Sequence, residues 1–183
     1  QLVNLFPEFK DVSVDELVSM INKTECALIR TEADELTYPL HIMVRYEIEK
    51  EIAKGNVDYD KLPELWADKY EEYLGDRPTN YKEGVLQDMH WSTGYLGYFP
   101  TYALGSAYAA QLYATMEKQF DVKEALLTNH FEKITNWLKE NVHHYAASKS
   151  MAEIVEEVSG EPFNPDYYTD YLIKKYKKLY NLD

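Results

Sequence analysis

The sequence predicts an all-α chain, a multi-helical array of roughly seven to nine helices. Three observations carry that prediction. Apolar residues recur at three- and four-residue spacing in almost every long segment. Residues that start and stop helices stand at the ends of those segments. No stretch shows the strict alternation of a half-buried strand.

The elements follow in order. Ser13 opens the first helix, with Asp15 and Glu16 in the turn where the helix dipole favours negative charge. Its apolar members are Leu17, Met20, Ile21 and Leu28. Pro39 opens a second helix that runs to residue 54 and stops at Gly55, with Leu40, Met43, Val44, Ile48 and Ile52 as its stripe. A third covers 62–74, with Pro63 in its first turn and Gly75 just beyond. Residues 84–105 hold four of the seven glycines and Pro100, which break the helical pattern. A long helix over 102–120 follows. Its small residues favour close packing, and its near lack of charge before Glu117 predicts a central, buried position. Asp121 and Val122 restart a short helix, and 131–145 gives another with Ile134, Trp137, Leu138 and Val142 on one stripe. Ser150 and Glu153 have capping-box spacing, and that helix ends at Gly160. Asn164 and Pro165 precede a last helix carrying Tyr168, Leu172, Tyr176, Leu179 and Tyr180.

The 183 residues suffice for one domain with a core, and no linker composition interrupts them, so one unit or part of one is expected. A net charge of −13 argues against nucleic acid or an anionic membrane as partner. No apolar run reaches the ~20 residues of a membrane span, and no signal peptide is legible, although the chain opens on Gln1 rather than Met. The single cysteine, Cys26, sits among Ala27, Leu28 and Ile29 and reads as a small buried hydrophobe. One cysteine permits no internal disulfide, which fits a reducing, cytoplasmic compartment.

Residues 84–105 combine glycines with Trp91, Tyr95, Tyr98, Phe99 and Tyr102, and place Asp88 two residues before His90. A cleft wall uses both kinds of residue: glycine lets backbone approach a ligand, and an Asp beside a His orients the imidazole or keeps it charged. Tyrosine hydroxyls and the imidazole can donate to a developing oxyanion. No serine or cysteine completes a nucleophilic triad. A stand-alone, metal-free enzyme built on Asp88 and His90 remains an open alternative.

The histidines form no HExxH motif. His143 and His144 are adjacent and point about 100° apart on a helix. With His130 they read as surface or capping residues, and no metal site is expected in this chain. His41, Arg45 and Glu49 recur every four residues along one helix face. A surface ion pair from Arg45 to Glu49 is the plain reading; Arg45 reaching into a cleft to meet a carboxylate is the functional one.

A hexapeptide and an octapeptide then acquire meaning together. Residues 29–34, IRTEAD, fit an IRxxAD pattern, and 84–91, GVLQDMHW, fit GxxQDxHW. With TYPLHIMVRYEIE at 37–49 and GYLGYFPTYALG at 94–105, the chain resembles the carboxypeptidase Taq family of zinc metallopeptidases over essentially its whole length. The resemblance is to the C-terminal part of that family. It implies that residues 1–183 are the C-terminal portion of a metallocarboxypeptidase catalytic domain, part of a larger helical fold with a deep groove. The HExxH-bearing part, which holds zinc or another divalent metal, would lie N-terminal to it.

The implied activity of the whole protein is release of single amino acids from free peptide C-termini. Zinc would activate a water and polarise the scissile carbonyl. The chain alone would be catalytically incomplete and would supply the opposite wall. On that resemblance Asp88, His90, Tyr98 and Tyr102 are candidate catalytic groups, with His90 held by Asp88. Arg30, Arg45, Asp34, Gln87 and Tyr95 are candidates for substrate binding, the arginines for the terminal carboxylate and Asp34 as an orienter. Partners implied are peptide substrates, the missing N-terminal part and a second copy in a homodimer. A non-catalytic helical interaction module, or a truncated family member, is the competing reading.

Overall fold

The computed structural model describes residues 5–183. The chain divides into two compact units, one ending at Pro100 and the other running from Thr101 to Asp183. The boundary falls in the first turn of a helix, where no linker composition marks it.

In the first unit, a short 3-10 turn at Pro7–Phe9 precedes helix α1, Val14–Ile21. Ser13 caps α1 in a reciprocal capping box with Glu16, which satisfies two otherwise orphaned N–H groups. The helix stops at Ile21, so Leu28 lies in the irregular stretch after it rather than on its stripe. A 3-10 turn at Arg30–Glu32 leads to α2, Tyr38–Ala53, and a further turn at Tyr59–Lys61 leads to α3, Leu62–Leu74. Both helices carry proline in the first turn, where a missing N–H costs nothing. Their facing sides form the core of this unit: Val44 and Ile48 from α2 pack with Trp66, Tyr70 and Leu74 from α3. Full burial of each such side chain is worth about 1.5–3 kcal/mol. From Gly75 the chain is irregular except for a 3-10 turn at Trp91–Thr93.

The second unit consists of α4 (Pro100–Glu117), α5 (Val122–Leu127), α6 (Phe131–Asn141), α7 (Met151–Ser159) and α8 (Asp166–Tyr180). A 3-10 turn at His143–Tyr145 replaces the expected end of α6. Leu112, Met116, Val122, Trp137 and Val155 make its core. Buried Gln111 donates to Ser159 Oγ and the Pro162 carbonyl and accepts from the Asn164 amide, fixing α4 to the α7–α8 connection.

Two expectations are corrected here. The uncharged helix α4 is not buried all round: Ala107, Gln111, Leu112, Thr115 and Met116 are buried, while Leu104 and Tyr113 are exposed. Apolar residues supply much of any folded protein's surface, so lack of charge does not require burial on every face. Cys26 is exposed, because it lies in the irregular stretch after α1 and not on a core-facing helix.

Candidate functional site

Helix α2 carries three polar side chains at four-residue intervals, His41, Arg45 and Glu49, and all three are buried. Four-residue spacing puts them on one face, one above the next. Buried polar groups need partners, and here the partners come from α3 and from the irregular chain at 87–97.

Arg45 is the middle rung and is wholly buried. Its Nε donates to Asp88 Oδ2 at 2.7 Å, Nη1 to the His41 carbonyl at 2.7 Å and the Tyr70 hydroxyl at 3.0 Å, and Nη2 to Gln87 Oε1 at 2.8 Å. Its guanidinium carbon lies 4.6 Å from the Trp66 ring centroid and 5.3 Å from that of Phe99, so aromatic faces cover what hydrogen bonds do not. Arg30 reaches the same carboxylate from the IRxxAD segment. Its Nε and Nη2 donate to Asp88 Oδ1 at 3.1 and 2.7 Å, and Nη1 donates to the Tyr38 hydroxyl. One carboxylate thus joins two guanidiniums that are 15 residues apart in sequence, and it is itself 43 residues from Arg45.

Electrostatics agree with that geometry. Burial opposes ionisation of Asp88, but the hydrogen bonds and charges of Arg30 and Arg45 outweigh it and hold the carboxyl below its usual range. Burial likewise opposes the charge on Arg30, and Asp88 more than restores it. His41 behaves oppositely: burial first, then the charges of Arg45 and Arg30, push it down to about 4. It is therefore neutral at pH 7. Arg45 donates to the Tyr70 hydroxyl, and the same hydroxyl lies 3.0 Å from His41 Nδ1, within hydrogen-bond distance.

Glu49 is the third rung. Its Oε1 accepts from the Trp91 indole N–H and from the Gly97 amide, both at 2.9 Å. The surface ion pair to Arg45 suggested by spacing is not made, because this helix face lies beneath the 87–97 segment, which supplies partners to both residues. Gly94 and Gly97 have φ of +85° and +79°, the left-handed region that favours glycine, so the glycines serve the turn itself. On the outer side of that turn Tyr95, Leu96 and Tyr98 are exposed. The His90 ring lies 4.3 Å from the Phe99 ring and 5.8 Å from that of Tyr98.

The predicted site residues therefore separate into two sets. Arg45 has no donor that a ligand can reach, since every guanidinium nitrogen is engaged and the residue is enclosed; further chain packed onto this surface only adds cover. Arg30, 7% exposed, is held by Asp88 and Tyr38. Gln87 makes four hydrogen bonds, accepting from the Arg30 amide and Arg45 and donating to the carbonyls of Leu28 and Glu83. Asp34 accepts from Thr24, from the amides of Glu25, Leu36 and Thr37 and from the Thr37 hydroxyl, organising the entry into α2. Burial opposes its charge and these donors more than compensate, so its pKa is lowered. Asp88 is directed to the arginines. Arg30, Arg45, Gln87 and Asp88 are bonded to one another as one frame, and Asp34 is engaged with its own turn. His90, Tyr95 and Tyr98 lie on or beside the exposed edge. Tyr102 lies in the first turns of α4, in the second unit, half-buried.

Tyr70, Tyr38 and the Glu49–Trp91 pair were not singled out from sequence. Only the four-residue spacing of Glu49 signalled its place, and it pointed to the wrong partner. Among the described residues no cluster of three His, Cys, Asp or Glu stands ready for a metal, so these residues do not fit a zinc site. No helix among them is long and apolar enough to cross a membrane.

The sequence model described as Carboxypeptidase Taq (M32) metallopeptidase matches residues 1–176. Carboxypeptidase 1 of Bacillus subtilis is 48% identical over 176 residues, which is 96% of this chain and 35% of that protein. Thermostable carboxypeptidase 1 of Thermus thermophilus is 40% identical over 177 residues, with the same two shares. Among solved structures, an M32 carboxypeptidase from Deinococcus radiodurans matches with a TM-score of 0.92 at 35% identity, over 98% of this chain and 37% of that one. The chain spans about a third of the length of these relatives.

Proposed function

The chain belongs to the carboxypeptidase Taq (M32) family of metallopeptidases, and from that premise we propose that it forms the C-terminal wall of a zinc carboxypeptidase that releases single residues from free peptide C-termini. The observation that carries this is the exposed aromatic edge Tyr95, Leu96 and Tyr98 beside His90, mounted on a buried ionic frame. Such an edge offers a peptide apolar cover and hydroxyl and imidazole donors at fixed positions.

In this reading Tyr95 flanks the peptide, while Tyr98 and His90 donate to the carbonyl oxygen as it gains charge. Tyr102 stays a candidate donor on the family resemblance alone. Arg30, Arg45, Asp34, Gln87 and Asp88 shape the wall without touching substrate. The metal would be held by chain outside these residues. The isolated chain is then inactive. Helix α1 supports a larger fold: Val14, Val18 and Ile21 lie on one face and are all exposed, an apolar stripe that more of the polypeptide would cover. A cytoplasmic homodimer completes the proposal, and the exposed thiol of Cys26 suits a reducing compartment.

The test is the intact mass and zinc content of the protein isolated from its natural source. A species nearly three times the 21.5 kDa of this chain, with one zinc per chain, supports the reading. A zinc-free species of 21.5 kDa overturns it and favours a non-catalytic helical module.

A further inference from the structure

We propose that Glu49 is a positioning residue: through the Gly97 amide it sets where Tyr95 and Tyr98 stand. The Gly94 amide donates to the Trp91 carbonyl and the Tyr95 amide to that of His90, which closes the first half of the turn. A side chain anchors the second half. Glu49 Oε1 takes the Gly97 amide and the Trp91 indole N–H together, both at 2.9 Å, from a position on α2 that is 7% exposed. Its helix is in turn fixed by Arg45, one turn earlier on the same face. Two donors from the turn thus converge on one buried carboxyl oxygen. Gly97 is a left-handed glycine with an exposed neighbour on each side, a backbone position with wide conformational freedom that this bond restrains. The carboxylate therefore carries rigidity from the buried frame out to the aromatic edge, without itself meeting a ligand.

That the edge serves a peptide rests on the proposed function; that Glu49 fixes it does not. The test has two arms. In the first, amide exchange by mass spectrometry is followed over residues 92–99 in the chain. Glu49→Met is expected to speed exchange there about tenfold or more, with α2 and α3 unchanged, and Glu49→Gln, whose amide oxygen replaces the acceptor, stays close to the parent. Should Glu49→Met also loosen α2 and α3, Glu49→Asp decides, because it keeps the charge but withdraws the acceptor by one methylene and must still speed exchange at 95–98. Unchanged exchange in the folded variant overturns the proposal.

In the second arm, in the full-length protein, Glu49→Met is expected to lower kcat/KM on a peptide with a free C-terminus by about tenfold, with most of the loss recovered by Glu49→Gln. Faster exchange with unchanged kcat/KM overturns the functional half. A full-length protein without carboxypeptidase activity refutes the family-based function while leaving the exchange result to decide the role of Glu49.

Discussion

Replacing Asp88 by Asn tests the ionic frame at its centre. The substitution keeps volume and one carbonyl oxygen but removes the charge that serves two guanidiniums. Arg45 is fully enclosed and the Asp88 side chain is 9% exposed, so water cannot replace the lost acceptor. The new amide nitrogen must also face a guanidinium donor 2.7 Å away, whichever way the amide turns. Breaking a buried pair by removing one partner costs about 3–5 kcal/mol, and with two arginines affected the upper end is expected. Against a total of about 5–15 kcal/mol for an ordinary domain, that loss is large enough to unfold the first unit selectively. Urea unfolding, followed by fluorescence in a Trp137→Phe background, reads the outcome, since Trp66 and Trp91 both pack in the first unit. A loss below about 1 kcal/mol, the worth of an exposed ion pair, would refute the reasoning: the carboxylate would then be acting as a surface group.

Other consequences can be checked in the same way. His41 is neutral in the fold with its pKa near 4, while the unfolded imidazole titrates near its ordinary 6.5. The unfolded state therefore binds the extra proton first, and stability falls as pH drops from 6.5 to 4, by about 3 kcal/mol in all. His41→Asn should flatten that part of the stability–pH curve, and an unchanged slope would contradict the assignment. Asp34→Ala removes the acceptor for three amides and two hydroxyls at the entry to α2 and should cost about 2 kcal/mol, read as a lower urea midpoint; no change would mean that water replaces it fully. Gly97→Ala forces a side chain onto a φ of +79° and should cost about 1–2 kcal/mol, with faster proteolysis of the turn. Equal stability and equal proteolysis would show that the turn accommodates alanine.

Helix positions were largely legible because their signals are local. The capping boxes at Ser13 and Ser150 and the prolines opening α2 and α3 all lie within a turn of the boundaries they mark. The two glycines at 94 and 97 were legible as unusual backbone for the same reason. The partner of Arg45 was not. Spacing offered Glu49 at four residues, whereas the structure supplies Asp88 at 43, because a buried helix face takes its charges from whatever packs over it. Arg45, Arg30, Gln87 and Asp88 are thereby bonded to one another across the fold, which no local spacing signals. Cys26 and α4 failed differently: apolar neighbours and absence of charge permit burial without compelling it.

The most direct test of the central claim is mass spectrometry of peptides incubated with the full-length protein, using one sequence with a free and with an amidated C-terminus. The account predicts stepwise loss of single residues from the free peptide and none from the amidated one. Equal trimming of both, internal cleavage, or no cleavage with metal bound would contradict it.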